Sequence, residues 1–444
     1  MKDADADRKD CGSLSKSNKA MGKRYSSHYI RTLSSLYIAT FFIRTSFGIM
    51  LATLPLYVGI KEGEYTGYGI VMAASPLFEL GTVLAIGAIV DRHGRKKVLL
   101  CGLLVGAVFL FLLAFTKDLY VIFAINACHG IAAGAILVSS LALLTDCAPT
   151  DRRGREMGAF DAVNLLGWIT GYALGALFLE ILKGELHIGF IAAGIMALFG
   201  FVYSFVNIDE EASRTSLSSS IRFSNIISVL KQKSVIILTM PWFIVFMMIG
   251  AVMTFLTATT SSESDFHIPP MLLAAGIIGA GVVLISTQVF FGKLSDKYGR
   301  LPIMFIGTIG FVGLMLTLGI GYVTAPSTNS EDLKNSIIGL WPALALFGFM
   351  ALAFGPSALS SLADEAHEKR RGVTMAVYSV VISAGMFIGI PAIAWVNDNY
   401  GGFGVLLFMT ACAMGMLFFV MVRYIDVKAR KHQCSENREG FTKI

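Results

Sequence analysis

Long apolar runs separated by short polar segments dominate the pattern of hydrophobic and polar positions along this chain. An α-helix that crosses a bilayer needs about 20 predominantly apolar residues, and twelve successive runs approach or exceed this length. Glycine is frequent inside the runs, as close helix packing in lipid favours. The predicted spans are 33–59, 68–90, 98–116, 119–145, 157–182, 187–208, 234–260, 271–295, 302–323, 337–363, 372–397 and 402–426. The pattern therefore predicts an all-α membrane protein with twelve transmembrane helices.

Composition supports this class and argues against an enzyme. Of the 444 residues, 55% are hydrophobic and only 15% are charged, whereas soluble domains carry about 25% charged residues. No polar stretch is long enough to form a separate catalytic domain, and no G-x-x-x-x-G-K-[ST] loop is present for ATP-driven pumping. The six cysteines show no metal-ligand spacing. We therefore expect no enzymatic activity, no metal and no cofactor.

The distribution of basic residues predicts the orientation in the membrane. If the N-terminus is inside, 31 of the 36 Lys and Arg residues fall on the cytoplasmic side, and only four lysines fall on the other side. This bias predicts a multi-pass plasma-membrane protein with both termini in the cytoplasm. The net charge of +6 is then a topology signal, so the lipid bilayer and not nucleic acid is the expected partner.

The loop after the second span recurs in the second half of the chain. "GAIVDRHGRKKVLLCG" at 87–102 matches "GKLSDKYGRLPIMFIG" at 292–307, an offset of 205 positions. A second match, at an offset of 218, joins "TDCAPTDRRGREMGAF" (145–160) to "ADEAHEKRRGVTMAVY" (363–378). Two ungapped matches in corresponding places predict a duplicated six-helix unit.

The duplication divides the chain into two bundles and a linker. The Ser-rich, charged stretch between the sixth and seventh spans has the composition of a flexible or partly amphipathic linker on the inner surface. The predicted parts are a cytoplasmic N-terminal tail (1–32), a first six-helix bundle (33–208), the cytoplasmic linker (209–233), a second six-helix bundle (234–426) and a cytoplasmic C-terminal tail (427–444).

The motif G-x-x-x-D-R-x-G-R-K at 87–96, weaker at 292–301, resembles the major facilitator superfamily of secondary transporters. The Asp146/Arg153 and Asp364/Arg371 pairs resemble that family's D-x6-R signature after spans four and ten. The resemblance covers residues from about 33 to 426. It implies two pseudo-symmetric six-helix bundles that rock around a midplane cavity and move a small molecule by alternating access, coupled to a proton or another ion. We expect the chain to act as a monomer.

The resemblance also implies a conformational gate at the repeated loops. In the family, the Asp91 position latches the two halves by accepting hydrogen bonds at the start of span eleven, and the Arg95 position pairs with Asp146. Asp296 is the weaker symmetric latch, near Gly154. The alternative for Asp91 is a cap on its own loop, and lipid headgroup anchoring explains Lys96 and Lys97. The expected gate residues are Gly87, Asp91, Arg92, Gly94, Arg95, Asp146, Arg153, Asp296, Gly299, Arg300, Asp364 and Arg371.

Two ionisable residues lie at bilayer depth, where such groups are costly and usually functional. Arg44 and Glu79 fall at similar depths on the first two spans, roughly 16–18 Å from the cytoplasmic boundary at 1.5 Å per residue. They either form a structural ion pair or serve transport, with Arg44 binding an anionic group or Glu79 carrying a proton. The equivalent positions are Ile249 and Leu284, so charge coupling is predicted in the first half only.

Polar and aromatic residues add further candidates for substrate binding and coupling. In the first half these are Asn126, His129, Asn164, Trp168 and Tyr172. In the second half Gln288 is the main candidate, joined by Trp242, Trp341, Tyr378, Trp395 and Asn397. A histidine in a membrane helix is often only hydrogen-bonded to a neighbouring helix, and aromatic residues near span ends often anchor at the interface.

Motif details favour the drug/proton antiporter branch of the family but depart from it in two places. "LPLYV" at 54–58 and the loop motif resemble that branch. Its R-x-x-Q-G motif falls on N-A-C-H-G at 126–130, and Tyr172 stands where its span-five motif has proline. Drug or metabolite efflux therefore remains beside organic-anion/proton or sugar-type uptake. A transporter-like membrane sensor is the alternative of another class.

Overall fold

The computed structural model describes residues 3–59, 64–147, 153–182, 185–208, 232–255, 269–325, 330–365 and 371–441. Regular secondary structure within these ranges is helical throughout. In chain order the helices are α1 (Asp3–Val58), α2 (Tyr65–Ala85), α3 (Gly87–His93), α4 (Arg95–Leu113), α5 (Leu119–Cys147), α6 (Arg153–Ile181), α7 (His187–Asn207), α8 (Lys233–Phe255), α9 (Pro270–Tyr298), α10 (Arg300–Thr324), α11 (Ser330–Gly339), α12 (Trp341–Ala351), α13 (Phe354–Glu365) and α14 (Arg371–Phe441). The predicted linker at 209–233 lies almost entirely outside the described residues.

Nine helical segments among the described residues are long and apolar enough to cross a membrane. They are Arg31–Val58, Arg95–Leu113, Leu119–Leu144, Ala162–Ile181, His187–Asn207, Pro270–Tyr298, Arg300–Thr324, Trp341–Ala358 and Val380–Lys428. The last segment contains two helices, because Gly401 breaks it with φ 64° and ψ −169°. Helices α2 and α8 occupy two further predicted spans, with an apolar stretch of α8 covering Val235–Gly250. That α2 and α8 also cross the membrane, which would complete the twelve spans, remains a prediction.

The two halves of the chain repeat one packing pattern. In the first half α1 packs on α6 and α7, α5 packs on α2 and α4, and α4 also packs on α7. In the second half α8 packs on α14, α13 packs on α9, and α10 packs on α12, α13 and α14. Each pair in the first half has its counterpart in the second, which confirms the predicted fold of two pseudo-symmetric helical bundles.

The halves meet along two helix pairs, α2 with α14 and α6 with α9. Gly69 of α2 lies so close to α14 that a Cβ there would be 2.8 Å from the Ala394 Cβ atom. A Cβ at Gly281 of α9 would similarly be 2.5 Å from Ile169 Cγ2 on α6. Small residues at these crossings let the backbones approach, as in membrane helix packing generally.

The repeated loops adopt the same backbone conformation in both halves. Gly94 has φ 90° and ψ 147°, and Gly299 has φ 98° and ψ 151°. Residues with a Cβ rarely adopt this region, which explains why the motif has glycine at both positions. We call the end of the molecule that carries Gly94 and Gly299 the motif end. The end that carries Gly59 and Gly401 is the opposite end.

A glycine face of α6, formed by Gly167, Gly171 and Gly175, packs directly on α1. A methyl group at Gly171 would overlap the Thr45 carbonyl group of α1. The repeat-related Gly389 lies against the Met247 carbonyl group of α8 in the same way. The duplicated sequence therefore builds the same close helix contact twice.

Candidate functional site

A cavity in the first bundle brings together four of the predicted site residues. Its lining comes from α1, α2, α4, α5 and α6, and Met386 of α14 closes it from the second half. The predicted residues on its wall are Arg44, Glu79, His129 and Trp168. Because Met386 of α14 is part of its lining, the cavity lies on the side of the first bundle that faces the second.

Arg44 and Glu79 face the same cavity but do not form a direct ion pair. Both side chains line it, from α1 and α2 respectively. No ion pair within 4.0 Å joins them among the described side chains. The direct Arg44–Glu79 contact that the sequence suggested is therefore not made in this conformation. The cavity therefore has one cationic and one anionic side chain on its wall without a direct ion pair between them.

Aromatic rings form the wall beside these charges. The Phe47 ring stacks on the His129 ring with centroids 5.3 Å apart and planes at 10°, and the Phe47 and Trp168 centroids are also 5.3 Å apart. The His129 Nδ1 atom lies 3.4 Å from the Ser75 hydroxyl, so the ring is also tied to α2. Phe47 and Ser75 were missed from the sequence, since neither type stands out in an apolar span.

The remaining substrate candidates do not line this cavity, among them Asn126, Asn164, Tyr172 and Gln288. The Asn126 side chain is fully buried and its Nδ2 atom donates to the Val71 carbonyl oxygen at 3.3 Å, which joins α5 to α2. Tyr172 is buried in the core of the first bundle. Asn164 is half-buried on α6, and Gln288 lies in the second bundle near Gly355. Asn126 and Tyr172 therefore have packing roles in this conformation.

The predicted gate residues lie at the motif end, and only some of their side chains are described. Arg300 donates to the Asp296 carboxylate and, at 3.0 Å, to the Ser295 hydroxyl, so this loop is closed on itself. Arg92 is exposed and Arg95 is half-buried. The side chains of Asp91, Asp146, Arg153, Asp364 and Arg371, and the surroundings of Gly87, lie outside the described set, so the expected contacts of Asp91 and Asp146 remain predictions.

A contact at the opposite end was not predicted from the sequence. Asp398 of α14 accepts hydrogen bonds from the backbone N–H groups of Tyr65 at 3.3 Å and Thr66 at 2.7 Å. The Thr66 hydroxyl donates to the same carboxylate at 2.6 Å. An acidic residue near the C-terminal end of its own helix is unfavourable, and this was the available signal for a partner elsewhere.

Two matching bundles of long apolar helices are the architecture of secondary transporters that work by alternating access. The chain belongs to the major facilitator superfamily, because the model of that family matches residues 36–328 and 264–443. The expected family resemblance is thereby confirmed, and the chain is a secondary transporter of small molecules and not an enzyme.

Similar proteins of known name are bacterial resistance proteins. The chain is 26% identical over 341 residues to the multi-drug resistance efflux pump PmrA homolog of Lactococcus lactis, an alignment that covers 70% of this chain and 82% of that protein. It is 26% identical to the class H tetracycline resistance protein of Pasteurella multocida, over 62% of this chain and 70% of that protein. These names agree with the resemblance of the loop motif to the drug/proton antiporter branch.

Solved transporter structures share the fold at low sequence identity. The human organic anion transporter MFSD10 (TETRAN) aligns with a TM-score of 0.64 and 16% identity, covering 88% of this chain and 99% of that one. A POT family transporter in complex with a thioalcohol-conjugated peptide aligns with a TM-score of 0.71 and 14% identity, covering 89% and 96%. At these identities the likeness concerns the fold alone.

Proposed function

We propose that this protein exports drug-like small molecules across the plasma membrane in exchange for protons. The observation that carries the proposal is the cavity that Arg44 and Glu79 both line beside a wall of aromatic rings. Apolar rings bind flat, lipophilic compounds with little demand for one exact shape. The resistance proteins among the relatives support export as the direction.

Glu79 is the proposed proton carrier. A carboxylate in a membrane cavity can be ionised while it faces a cationic partner and protonated while it is alone, so it can exchange a proton for a bound substrate. Ile249 and Leu284 stand at the repeat-related positions, so the second bundle offers no equivalent group there. In this proposal, proton coupling therefore takes place in the first bundle.

A second candidate function is organic-anion transport, and Arg44 is the observation that favours it. A guanidinium group keeps its charge at every physiological pH and binds carboxylates through two parallel hydrogen bonds. In this alternative the substrate carboxylate binds Arg44, and the proton on Glu79 travels with the substrate. The direction of proton movement relative to substrate distinguishes the two candidates.

The gate proposal concerns the motif end. We propose that Asp91 latches α3 to the start of α14, with the repeated loop at Asp296 as its weaker counterpart. The matching backbone at Gly94 and Gly299 supports a common role for the two loops. The Arg95–Asp146 pair and the Arg153, Asp364 and Arg371 positions complete the proposed gate.

The proposed orientation in the plasma membrane follows from the distribution of Lys and Arg residues. The motif end faces the cytoplasm with both termini, since the basic residues concentrate there. We further propose that the chain acts as a monomer, with bundles at 33–208 and 234–426 that move as units.

The test begins with a ligand-stabilisation screen on purified protein, covering lipophilic cations, carboxylates, sugars and amino acids. Compounds that raise the melting temperature are then tested for pH-driven flux in proteoliposomes. The Glu79→Gln variant should still bind substrate but lose the response of flux to a pH gradient. Glu180→Gln, at an exposed carboxylate on α6, is the matched control and should transport normally.

Two outcomes would overturn the proposal. If Glu79→Gln keeps full pH-driven flux, Glu79 is structural and the proton travels elsewhere. If a binding compound is found but no gradient drives its flux, the protein is a transporter-like sensor.

A further inference from the structure

We propose that Asp398 is the gate residue of the opposite end, and that Asp398 and Asp91 form a reciprocal pair of clamps on helices α2 and α14. Asp398 stands near the C-terminal end of the first part of α14 and accepts hydrogen bonds at the start of α2; in the proposed pair, Asp91 of α3, which follows α2, does the same at the start of α14. This inference rests on the transporter fold and on the proposed role of Asp91, and it is independent of substrate and coupling ion.

The contact at Asp398 has the geometry of a helix cap supplied by the other bundle. Its Oδ1 atom accepts from the Tyr65 N–H at 3.3 Å, and its Oδ2 atom accepts from the Thr66 N–H at 2.7 Å and the Thr66 hydroxyl at 2.6 Å. Helix α2 begins at Tyr65, and the first N–H groups of a helix lie before the start of its own i→i−4 hydrogen-bond ladder. Glu64, directly before the helix, gives no side-chain cap, so the cap comes from α14.

Helix electrostatics explain why the Asp398 carboxylate stabilises the start of α2 and does not stabilise its own helix. Asp398 stands three residues before the break at Gly401, where the helix carries partial negative charge. A carboxylate there is unfavourable for α14 but favourable at the positive start of α2. The contact therefore gains its stability only while the two bundles touch at this end.

The two helices run antiparallel, which creates the reciprocal arrangement. Gly69, four residues into α2, lies against Ala394 and Ile390, which precede Asp398 on α14. The chain directions are opposed, so the C-terminal side of α2 and α3, with Asp91, runs toward the beginning of α14. Rocking of the bundles opens one end at a time, so opening either end breaks the clamp at that end while the other clamp is kept.

The test measures which end is open. Spin labels at Glu185 in the first half and Glu331 in the second, both exposed at the opposite end, report the separation of the bundles there by electron–electron resonance. The background is the full chain with its native cysteines replaced. Asp398→Asn should increase the ratio of the long-distance to the short-distance population roughly tenfold, the scale of a lost charge-assisted capping contact. Asp91→Asn should shift the ratio the other way, and the double variant should return toward the wild-type ratio.

A matched control separates the gate from ordinary helix capping. Asp118 caps α5 within the first bundle by accepting from the N–H groups of Tyr120 at 2.8 Å and Val121 at 3.2 Å. Asp118→Asn removes the same chemistry without touching the interface, so the distance ratio should stay at the wild-type value. Thr66→Val, which removes only the hydroxyl donor, should give a smaller shift in the direction of Asp398→Asn. Unchanged ratios in both Asp398→Asn and Thr66→Val, or an equal shift in Asp118→Asn, would overturn the proposal.

Discussion

Substituting the glycines at the duplicated helix contact should destabilise both bundles by similar amounts. In Gly171→Ala the new methyl group meets the Thr45 backbone, and in Gly389→Ala it meets the Met247 backbone. Backbone atoms cannot turn away as a flexible side chain can, so the helices must separate. Forcing extra atoms into a packed site typically costs about 1–3 kcal/mol, and this is the loss in unfolding free energy that we expect for each variant.

A third glycine provides a control in which the substitution should not lower stability. Gly81 lies inside α2 with open space where its Cβ would be, so Gly81→Ala meets no obstacle. Alanine in a helix interior is favoured over glycine by roughly 0.5–1 kcal/mol, so this variant should be as stable as the wild type or more so. Denaturant or thermal unfolding of the three variants in one detergent gives the comparison. Wild-type stability in Gly171→Ala, or equal losses at Gly171 and Gly81, would refute the packing argument.

Three further predictions concern the gate and the cavity. Asp91→Asn should reduce transport while the protein still folds and inserts, and normal flux in proteoliposomes would remove Asp91 from the gate. Gly94→Ala and Gly299→Ala should each lose about 1–2 kcal/mol of unfolding free energy, because both residues have φ near 90°; unfolding midpoints equal to the wild type would show that the loops tolerate a Cβ. Arg44→Ala should lower stability by leaving a membrane carboxylate without a nearby cation, and adding Glu79→Ala should restore stability but not flux; restored flux would mean that the two groups matter only for folding.

The duplicated features were predictable because they depend on local sequence. A tight turn with positive φ needs glycine wherever it occurs, and the repeated motif places Gly94 and Gly299 at corresponding positions of the two loops. The same holds for glycines at i, i+4 and i+8, which lie on one helix face from Gly167 to Gly175. Both rules work within one helix or loop, and no knowledge of the tertiary arrangement is needed.

Features that depend on neighbouring helices were only partly predictable. The depth of Arg44 and Glu79 followed from counting residues. Whether their side chains meet depends on how α1 and α2 are arranged in the fold, which residue counting does not give. Asn126 was chosen as polar in a span, yet its amide is used to join α5 to α2. The break between α12 and α13 follows from Pro356, whose ring cannot be accommodated against the carbonyl group four residues earlier, and the predicted span 337–363 passed over it.

The contact of Asp398 is the clearest example of a feature that could not be predicted from the sequence. Asp398 lies one residue beyond the predicted span 372–397, where a charged residue needs no explanation. Its partners, Tyr65 and Thr66, are more than 330 positions away in the chain. Only the antiparallel arrangement of α2 and α14 brings the carboxylate to the start of the other helix.

The most direct test of proton-coupled export is the pH change that substrate alone produces inside vesicles. Proteoliposomes that contain a trapped pH dye and start without a pH gradient receive a substrate identified by the stabilisation screen. The proposed exchange predicts that the interior becomes more alkaline as substrate enters and protons leave, and that Glu79→Gln abolishes this change. Substrate uptake with an interior that becomes acidic, or with no pH change at all, would contradict it.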